Sequence, residues 1–422
     1  MRYHKTQQEY LKSEARFVVV PAGRRSGKTE IAKRRAVLRA MQEAEHADAW
    51  YIMCAPTISQ ARRIFWQDLK AMVPTEYLTR PPMEGRMSLQ LKNGAEIQVI
   101  GLDAPERIEG RPISGAVLDE YGNMKETVWG QHLRPALSDR MGWVDFIGVP
   151  EGRNHYYELY KQAQADNSGT WAAFSWTSED ILNAEEIALA KRDLDALTYD
   201  QEYRASFVTF EGQAYYPFKD HIHLTKEYSY RPEMPLIFCF DFNVAPGVAV
   251  VVQEYGDLTV CIGEVYIPSN SNTPMVCRKL IEMYPEHPTE IYLYGDATGG
   301  ARGTTAVAGS DWDLIKETLR PHYGPALRFR VPKKNPRERQ RVNAMNTRLM
   351  AADGLVSLVV DPAGCPNLVK DFEGVRLVKG GSGEIDKTSD PVLTHLTDAL
   401  GYYVSKEFPI AGRARTVVEQ LG

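Results

Sequence analysis

Short, uninterrupted runs of apolar residues recur through the first part of the chain, and segments rich in helix-forming residues separate them. Such runs, ending at Gly or Pro, are typical of strands buried on both faces of a sheet. Strands that alternate with helices predict an open, mainly parallel sheet with helices on both faces. The predicted strands are 17–20, 50–55, 116–118 and 144–148, and the helical segments between them are 29–42 and 59–72.

The stretch from residue 89 to residue 100 follows a different pattern. Apolar and polar residues alternate here on both sides of Lys92-Asn93-Gly94. Alternation around an Asn-Gly pair predicts an antiparallel hairpin.

A second alternating region begins after residue 212, behind a charged amphipathic helix predicted at 185–204. The patterns therefore predict an α/β chain in three parts: a first α/β domain at 1–175, a short helical lid or linker at 176–212, and a second α/β domain at 213–422. The predicted strands of the last part are 236–240, 248–252 and 291–294, and its predicted helices are 339–351 and 393–405.

Composition then excludes several classes of protein. The 422-residue chain is 43% hydrophobic and 25% charged, as in ordinary globular proteins. No apolar run approaches the roughly 20 residues of a membrane helix, so we expect no membrane partner. The net charge is -5, so any nucleic acid would have to be bound by a local cluster of cations. The five cysteines are scattered without a CxxC pair, which fits a reducing cytoplasm and disfavours a zinc site.

The segment between the first predicted strand and helix indicates a phosphate-binding loop. It contains Ala22, Gly23, Arg24, Arg25, Ser26, Gly27, Lys28 and Thr29. It matches the phosphate-loop pattern from Gly27 onward, although Ala22 stands at the usual first glycine. Backbone N–H groups and the helix N-terminus would bind phosphate oxygens, Lys28 would reach the outer phosphates of ATP, and Thr29 would bind Mg²⁺. The alternative is a chance Gly-Lys-Thr in a basic turn.

A nucleotide hydrolase with this loop also needs acidic side chains at a neighbouring strand end, and Asp119 and Glu120 follow the apolar run 116–118. Asp119 would hold Mg²⁺ through water, and Glu120 would orient and deprotonate the attacking water. Acidic pairs after strands are common, so the prediction depends on their combination with the loop.

Arginines and glutamines supply further candidates. Arg24 could stabilise the transition state from within the loop, whereas Arg134 and Arg140 could reach the site of a neighbouring subunit. Exposed arginines are also often only solvated or paired. Gln7 or Gln8 could bind adenine through its carboxamide, and we assign this role to Gln8; a surface glutamine is the alternative.

Together these motifs resemble the large terminase subunit of tailed bacteriophages. The resemblance rests on Gln7-Gln8, the phosphate loop, Ala55-Pro56-Thr57, Gly110-Arg111-Pro112 before Asp119-Glu120, and a coupling segment at 148–157. Val149 stands where the family usually has Ser or Thr before the proline, so a hydroxyl that senses hydrolysis would come from elsewhere, such as Ser175 or Thr177.

The resemblance implies a P-loop ATPase domain and an RNase H-like nuclease domain. It further implies a motor that uses ATP to package double-stranded DNA into a procapsid and a nuclease that cuts concatemeric DNA. The implied partners are a small terminase subunit and the portal protein, on which a ring of five subunits would dock. The implied location is the host cytoplasm and, transiently, the procapsid portal, but not the mature virion.

The family's nuclease holds two divalent metal ions between carboxylates, and three positions of this chain match that plan. Asp241 ends the run 236–240, Asp296 follows the run 291–294, and Asp398 lies in the late helix. Hard oxygen ligands suit Mg²⁺ or Mn²⁺. A turn or cap role is the alternative for each. Asp390 is a lesser candidate, and His395 could contact the metal site or be structural.

One basic cluster stands out in the second half, and it predicts contacts with the DNA backbone. A solvated helix face is the alternative. Its members are Arg328, Arg330, Lys333, Lys334, Arg337, Arg339 and Arg341.

Two other functions use the same motifs. A repair or helicase-like ATPase would have a DNA-binding second half that does not cut, but the second half shows no second phosphate loop. A structural capsid component with inactive sites is opposed by the intact Lys28, Thr29, Asp119 and Glu120.

Overall fold

The computed structural model describes residues 3–42, 46–208, 212–242, 245–297, 310–378, 383–390 and 392–410. The chain forms two compact units, Met1–Ile187 with Tyr199–Thr209, and Ala188–Thr198 with Phe210–Gly422. The chain therefore enters the second unit after Ile187, returns to the first unit at Tyr199 and enters the second unit again after Thr209. All three crossings lie within the segment predicted as a lid or linker. The three-part division at 175 and 212 stays a prediction.

The first unit consists of a seven-stranded sheet and the helices around it. Its strands are β1 (Phe17–Pro21), β2 (Trp50–Ala55), β3 (Ser88–Gln90), β4 (Glu96–Gly101), β5 (Gly115–Leu118), β6 (Trp143–Gly148) and β7 (Trp171–Ala173). Its helices are α1 (Lys5–Lys12), α2 (Lys28–Gln42), α3 (Ile58–Ala61), α4 (Gln67–Met72), α5 (Arg134–Ala136) and α6 (His155–Ala165). Helices α7 (Ala184–Asp193) and α8 (Ala196–Glu202) lie in the segment that crosses between the units.

The strand order is β3-β4-β2-β5-β6-β1-β7, and every pair is parallel except β3–β4. The predicted parallel sheet and the predicted hairpin are both confirmed. The central strands β1, β2 and β5 are buried along their whole length, because apolar clusters cover both faces of the sheet. Their carboxyl ends meet at one edge, which is where polar side chains can converge.

A buried ion pair joins the helices of the first unit to its sheet. Arg35 on α2 donates to both carboxylate oxygens of Asp145 on β6, at 2.5 and 2.6 Å. Tyr10 on α1 donates to the same carboxylate at 2.9 Å. Arg35 also donates to the carbonyl oxygen of Ser13 at 2.6 Å. The two charges are buried but well hydrogen-bonded, so removing one partner is costly.

The second unit is a six-stranded mixed sheet with helices on both faces. Its strands are β8 (Leu236–Asp241), β9 (Gly247–Tyr255), β10 (Leu258–Ile267), β11 (Ile291–Gly295), β12 (Leu327–Phe329) and β13 (Leu358–Val360). Its helices are α9 (Asp220–His223), α10 (Thr273–Met283), α11 (Asp311–Tyr323), α12 (Glu338–Leu349), α13 (Pro366–Gly374) and α14 (His395–Glu407).

The strand order in this sheet is β12-β11-β8-β9-β10-β13. Strands β8, β9 and β10 are antiparallel, whereas β11 pairs in parallel with both β8 and β12. Helices α10 and α11 pack on one face through an apolar cluster. Helix α14 packs on the other, where the Tyr403 ring meets the Tyr294 ring edge-on at 4.9 Å.

The structure divides the single helix predicted at 185–204 into α7 and α8. Asp195 lies in the break, and its carboxylate accepts a hydrogen bond from the backbone N–H of Thr198 at 3.1 Å. An aspartate that accepts from an N–H in the first turn starts a new helix. Among the described residues, no helix is both long enough and apolar enough to cross a membrane.

We expect Arg35→Met to lower the free energy of unfolding of the first unit by about 3–5 kcal/mol, because Asp145 would remain buried without its cation. Six of the seven tryptophans lie in this unit, so urea unfolding followed by tryptophan fluorescence measures the loss. The exposed pair Lys5–Glu9 provides the control, and Lys5→Met should cost under about 1 kcal/mol. An Arg35→Met loss as small as this would contradict the prediction.

Candidate active sites

The predicted phosphate loop is a tight turn between β1 and α2. Arg25 and Gly27 have positive φ angles of 56° and 81°, which turn the backbone around the start of α2. The Lys28 side chain is buried, and its Nζ lies 3.4 Å from the carbonyl oxygen of Gly23. The N-terminus of a helix of this length attracts phosphate groups.

Ser26 in this loop has an unsatisfied hydroxyl. Its side chain is fully buried, and its Oγ has no hydrogen-bond partner among the described residues. A buried hydroxyl without a partner costs stability unless a ligand supplies one. The loop therefore has the donors that a phosphate group requires.

The acid pair at the end of β5 meets the start of α2, although β6 lies between β5 and β1. The Thr29 hydroxyl donates to Asp119 at 3.0 Å. Burial and the neighbouring charge of Glu120 raise the pKa of Asp119 to about 6, and Lys28 opposes this shift. The site therefore holds a carboxylate that gains from a nearby cation.

Glu120 has an unusual backbone conformation, with φ 55° and ψ 42°. A non-glycine residue in this left-handed region costs of order 1 kcal/mol and is enriched at functional sites. The Glu120 N–H donates to the Asp119 carboxylate at 3.0 Å, which fixes the two acids relative to each other.

The segment predicted as a lid or linker contacts the phosphate loop directly. The Ser178 hydroxyl donates to the carbonyl oxygen of Arg24 at 2.6 Å, and the Arg24 N–H donates to the carbonyl oxygen of Glu202 at 2.6 Å. The Arg24 guanidinium also pairs with the Glu202 carboxylate at 2.5 Å. Arg24, predicted to act on phosphate, is therefore bound to Glu202 in this structure.

Gly23 is required for this packing. A Cβ atom at position 23 would come within 2.3 Å of the Ser178 hydroxyl and 2.5 Å of the Tyr203 carbonyl oxygen. The backbone oxygen cannot move aside as a flexible side chain can, so a glycine is needed here.

The assignment of Gln8 to nucleotide binding is corrected by the structure. Gln7 is the buried glutamine, and its amide donates to the carbonyl oxygen of Ser26 at 2.8 Å. Gln8 is exposed and donates to the carbonyl oxygen of Tyr3. Successive residues of a helix point about 100° apart, so only one of the two can face the loop. The burial of Tyr10, three residues after Gln7, marks the inward face.

Arg134 and Arg140 have partners within the first unit. Arg134 donates to the Ser138 hydroxyl at 3.2 Å, and its guanidinium lies 5.5 Å from the Phe17 ring centre. Arg140 pairs with Asp48 at 2.7 Å. A role for either one in a neighbouring subunit's site stays a prediction.

The segment that resembles a coupling segment contacts the turn after Glu120. Asn154 donates to the carbonyl oxygen of Gly122 at 3.0 Å, and Nε2 of His155 lies 3.2 Å from the carbonyl oxygen of Tyr121. Thr177, a candidate source of the missing hydroxyl, instead donates to Asp180 at 2.8 Å. Asn154 and His155 were identifiable only as part of the motif, because their partners are about 32 residues away in sequence.

The three acids of the second unit lie around one tyrosine. Asp241 and Asp296 come at the carboxyl ends of the parallel neighbours β8 and β11, where Gly295 pairs with Phe240. The Tyr402 hydroxyl donates to Asp296 at 3.2 Å. Burial raises the pKa of Tyr402, and the charges of Asp296, Asp241 and Asp398 add to this rise.

Asp398 is held by two cations. Arg341 donates to one carboxylate oxygen at 2.9 Å, and Lys387 donates to the other at 2.8 Å. Burial raises the pKa of Asp398, while Arg341 and Lys387 lower it. Across the described ranges, no group of three or more His, Cys, Asp or Glu side chains has an arrangement that could hold a metal ion. The oxygen donors suit a hard divalent cation, but in this structure the oxygens of Asp398 bind Arg341 and Lys387.

Two further residues of the predicted nuclease site have different positions. The His395 ring lies 3.1 Å from the Asp241 carboxylate. Asp390 is exposed and accepts from the backbone N–H of Val392. The glycine-rich segment after Asp296, whose backbone could approach DNA phosphates, lies outside the described residues. It contains Gly299, Gly300, Arg302 and Gly303.

The predicted basic cluster is divided by burial. Lys333, Lys334 and Arg337 are exposed in the segment before α12. Arg328 pairs with Glu290, and Arg330 contacts the Tyr294 hydroxyl at 3.2 Å. The remaining members of the cluster lie on α12; Arg339 is half-buried.

Arg341 is a correction to the predicted DNA surface. It is only 8% exposed, because its side of α12 faces α14. Its guanidinium is occupied by Asp398 and also stacks 4.5 Å from the Tyr402 ring centre.

Comparison with known proteins agrees with this geometry. Residues 20–220 match the family model described as "Terminase large subunit, T4likevirus-type, N-terminal". This match covers both the phosphate loop and the acid pair. Residues 20–220 therefore resemble the N-terminal part of terminase large subunits.

Curated terminases are similar over about half of the chain. The large terminase subunit of Escherichia phage T5 is 26% identical over 214 residues, which are 49% of this chain and 48% of the relative. That of Thermus phage G20c is 26% identical over 245 residues, half of each chain. The chain thus spans about half the length of the curated relatives it matches.

The likeness in fold extends further than the likeness in sequence. The solved structure of the large terminase from a thermophilic bacteriophage matches over 96% of this chain and 99% of its own, with a TM-score of 0.61 and 16% identity. That terminase has also been solved with ADP and with ATP-gamma-S. The predicted α/β fold class is confirmed.

In the first unit we expect Gly23→Ala to lower the free energy of unfolding by about 1–3 kcal/mol, since the added methyl overpacks the contact with Ser178 and Tyr203. We also expect it to weaken nucleotide binding, measured by calorimetry with ADP. Gly85→Ala is the matched control, because its Cβ would meet nothing within 4 Å. Equal effects of the two substitutions would show that the close contact at Gly23 is unimportant.

Proposed function

We propose that the chain is a DNA-packaging motor in which ATP hydrolysis drives double-stranded DNA into a procapsid, joined to an endonuclease that cuts concatemeric DNA. The observation that carries the proposal is the hydrogen bond from Thr29 to Asp119 beside the buried Lys28. It brings together the loop and the strand-end acid that nucleotide hydrolysis needs, from positions 90 residues apart.

In the ATPase half, the backbone of residues 23–28 binds the phosphates of ATP and Lys28 contacts the outer ones. Thr29 and Asp119 would hold Mg²⁺, which neutralises charge that develops on the phosphates. Glu120, fixed by its hydrogen bond to Asp119, orients the attacking water and takes its proton. Arg24 stabilises the transferred phosphate once it leaves Glu202.

In the nuclease half, Asp241, Asp296 and Asp398 would hold two Mg²⁺ ions, with Mn²⁺ as a substitute. Such a pair activates water and stabilises the leaving oxygen of the phosphodiester. Arg341 orients Asp398 from the buried side. Lys333, Lys334 and Arg337 contact the DNA backbone without base-specific readout.

The family resemblance supports the remaining parts of the proposal. A small terminase subunit selects the DNA, and a ring of five copies docks on the portal protein of the procapsid. The motor works in the host cytoplasm and is absent from the mature virion. Nothing favours a helicase-like ATPase with a non-cutting second half.

Two substitutions should separate the two chemistries in the full-length chain. Lys28→Ala removes the cation that faces the outer phosphates and should lower ATP hydrolysis by roughly 100-fold or more. It should leave Mn²⁺-dependent nicking of plasmid DNA unchanged. Asp241→Asn should abolish nicking and leave hydrolysis of ATP intact. Phosphate release and agarose gels measure the two activities.

Lys92→Met changes charge at an exposed position between β3 and β4, far in sequence from both motifs, and serves as the control for both assays. If plasmid were never cut under any metal condition while DNA was still bound, the nuclease half of the proposal would be wrong. If Lys28→Ala hydrolysed ATP normally, the ATPase half would be wrong.

Replacement of Lys333, Lys334 and Arg337 by alanine should weaken DNA binding and flatten its salt dependence. Each lost phosphate contact reduces the slope of log K against log[salt] by roughly 0.9, so we expect a change of about 2–3. Fluorescence anisotropy with a labelled duplex measures this slope.

The matched control replaces Arg278, Lys279 and Lys316 by alanine. These residues are exposed on α10 and α11, and their replacement removes the same amount of positive charge. Their substitution should leave the slope nearly unchanged. Equal slopes for the two triple variants would rule out the basic cluster as the DNA surface.

A further inference from the structure

The helix that carries His395 and Asp398 does not cap its own N-terminus. The residue at the N-cap of α14 is Thr394, which has a positive φ angle of 92° and makes no side-chain capping bond. The first N–H groups of a helix have no partner within the helix and must find one elsewhere.

Asp371 on the preceding helix α13 supplies that partner. Its Oδ2 accepts hydrogen bonds from the backbone N–H groups of Leu396 at 3.0 Å and Thr397 at 3.2 Å. These are the second and third positions of α14, where a capping side chain normally binds. Asp371 is 4% exposed, so its carboxylate depends on these donors in place of water.

The burial of Asp371 has a measurable electrostatic consequence. Desolvation raises its pKa to about 7, although the N–H groups of Thr397, Leu396 and Thr394 and the charge of His395 favour the ionised form. Ionisation of this carboxylate therefore carries a desolvation cost, which the N–H groups at the start of α14 partly offset.

The N-terminus of helix α13 is in turn bound by a carboxylate from the sheet. Glu264 on β10 accepts from the N–H of Asn367 at 2.9 Å and from that of Leu368 at 2.8 Å. These are again the second and third helical positions, and Cys365 at the N-cap makes no capping bond of its own. Two carboxylates therefore connect the sheet to α13 and α13 to α14.

We propose that Asp371 is a positioning residue for the nuclease: it fixes the first turn of α14 so that Asp398 and His395 face Asp241. This inference rests on the proposed nuclease function. Asp398 lies only four positions into α14, its N–H donates to the Thr394 carbonyl oxygen at 2.7 Å, and helix ends fray when their first donors lose their partners. A metal site tolerates displacements of only about 0.5 Å in its ligands.

The test uses the full-length chain and Mn²⁺ alone as the probe. Asp371→Asn keeps the shape of the side chain but removes the charge opposite the helix N-terminus. We expect its Kd for Mn²⁺, measured by calorimetry without DNA, to rise about tenfold, as for other residues that orient metal ligands. We expect kcat for plasmid nicking to fall by at least the same factor, while the Kd for DNA and the hydrolysis of ATP stay unchanged.

Tyr323→Phe is the control for a purely structural effect. The Tyr323 hydroxyl is buried between α10 and α11, on the opposite face of the sheet, and donates to the Tyr284 carbonyl oxygen at 2.9 Å. Its loss should lower the Tm and leave the Kd for Mn²⁺ unchanged. All variants are compared at a temperature at which each is fully folded.

Glu264→Gln tests the contact between the sheet and α13. It should weaken Mn²⁺ binding less than Asp371→Asn does. If Asp371→Asn fails to fold, this variant decides the question. Wild-type Mn²⁺ affinity in both Asp371→Asn and Glu264→Gln would overturn the inference while the nuclease proposal stands. Two results together would overturn both this inference and the nuclease proposal. The wild-type protein would fail to cut DNA, and it would show no Mn²⁺ binding that Asp241→Asn abolishes.

Discussion

Buried carboxylates are the constraint on which both candidate sites depend: Asp119 lies at the end of β5, and Asp398 lies on α14. A dehydrated carboxylate is costly unless hydrogen bonds or cations compensate it. Asp119 is compensated by Thr29 and the nearby Lys28. Asp398 is compensated by Arg341 and Lys387. Each acid therefore lies in a place where a divalent cation would relieve the same cost.

Helix N-termini provide the second element of both sites. In the first unit, α2 begins directly after the phosphate loop, where the N–H groups of a helix N-terminus can bind phosphate. In the second unit, the start of α14 is closed by Asp371. The same physical feature thus serves ligand binding in one half and the placement of a side chain in the other. The difference follows from whether a carboxylate of the protein occupies the helix end.

The local parts of both sites could be predicted from the sequence because they depend on contiguous residues. A strand, a glycine-containing turn and a helix in succession specify the phosphate loop, and an apolar run before Asp119 specifies a strand-end acid. The choice between Gln7 and Gln8 could not be made in this way, since it depends on which side of α1 faces the loop. Arg341 was placed with the exposed cations for the same reason, because its neighbour α14 is distant in sequence.

The sequence by itself determined the α/β class, the central strands of the first sheet and the identity of the acids at strand ends, since these follow from apolar periodicity and from turn-forming residues. Only the tertiary structure decided which charges meet. Glu202 binds Arg24 across 178 residues, and Asp371 caps α14 from 25 residues away. Such pairings arise because packing brings distant side chains together: Arg24 meets Glu202 while remaining partly exposed, whereas the buried carboxylate of Asp371 must find its partners within the protein.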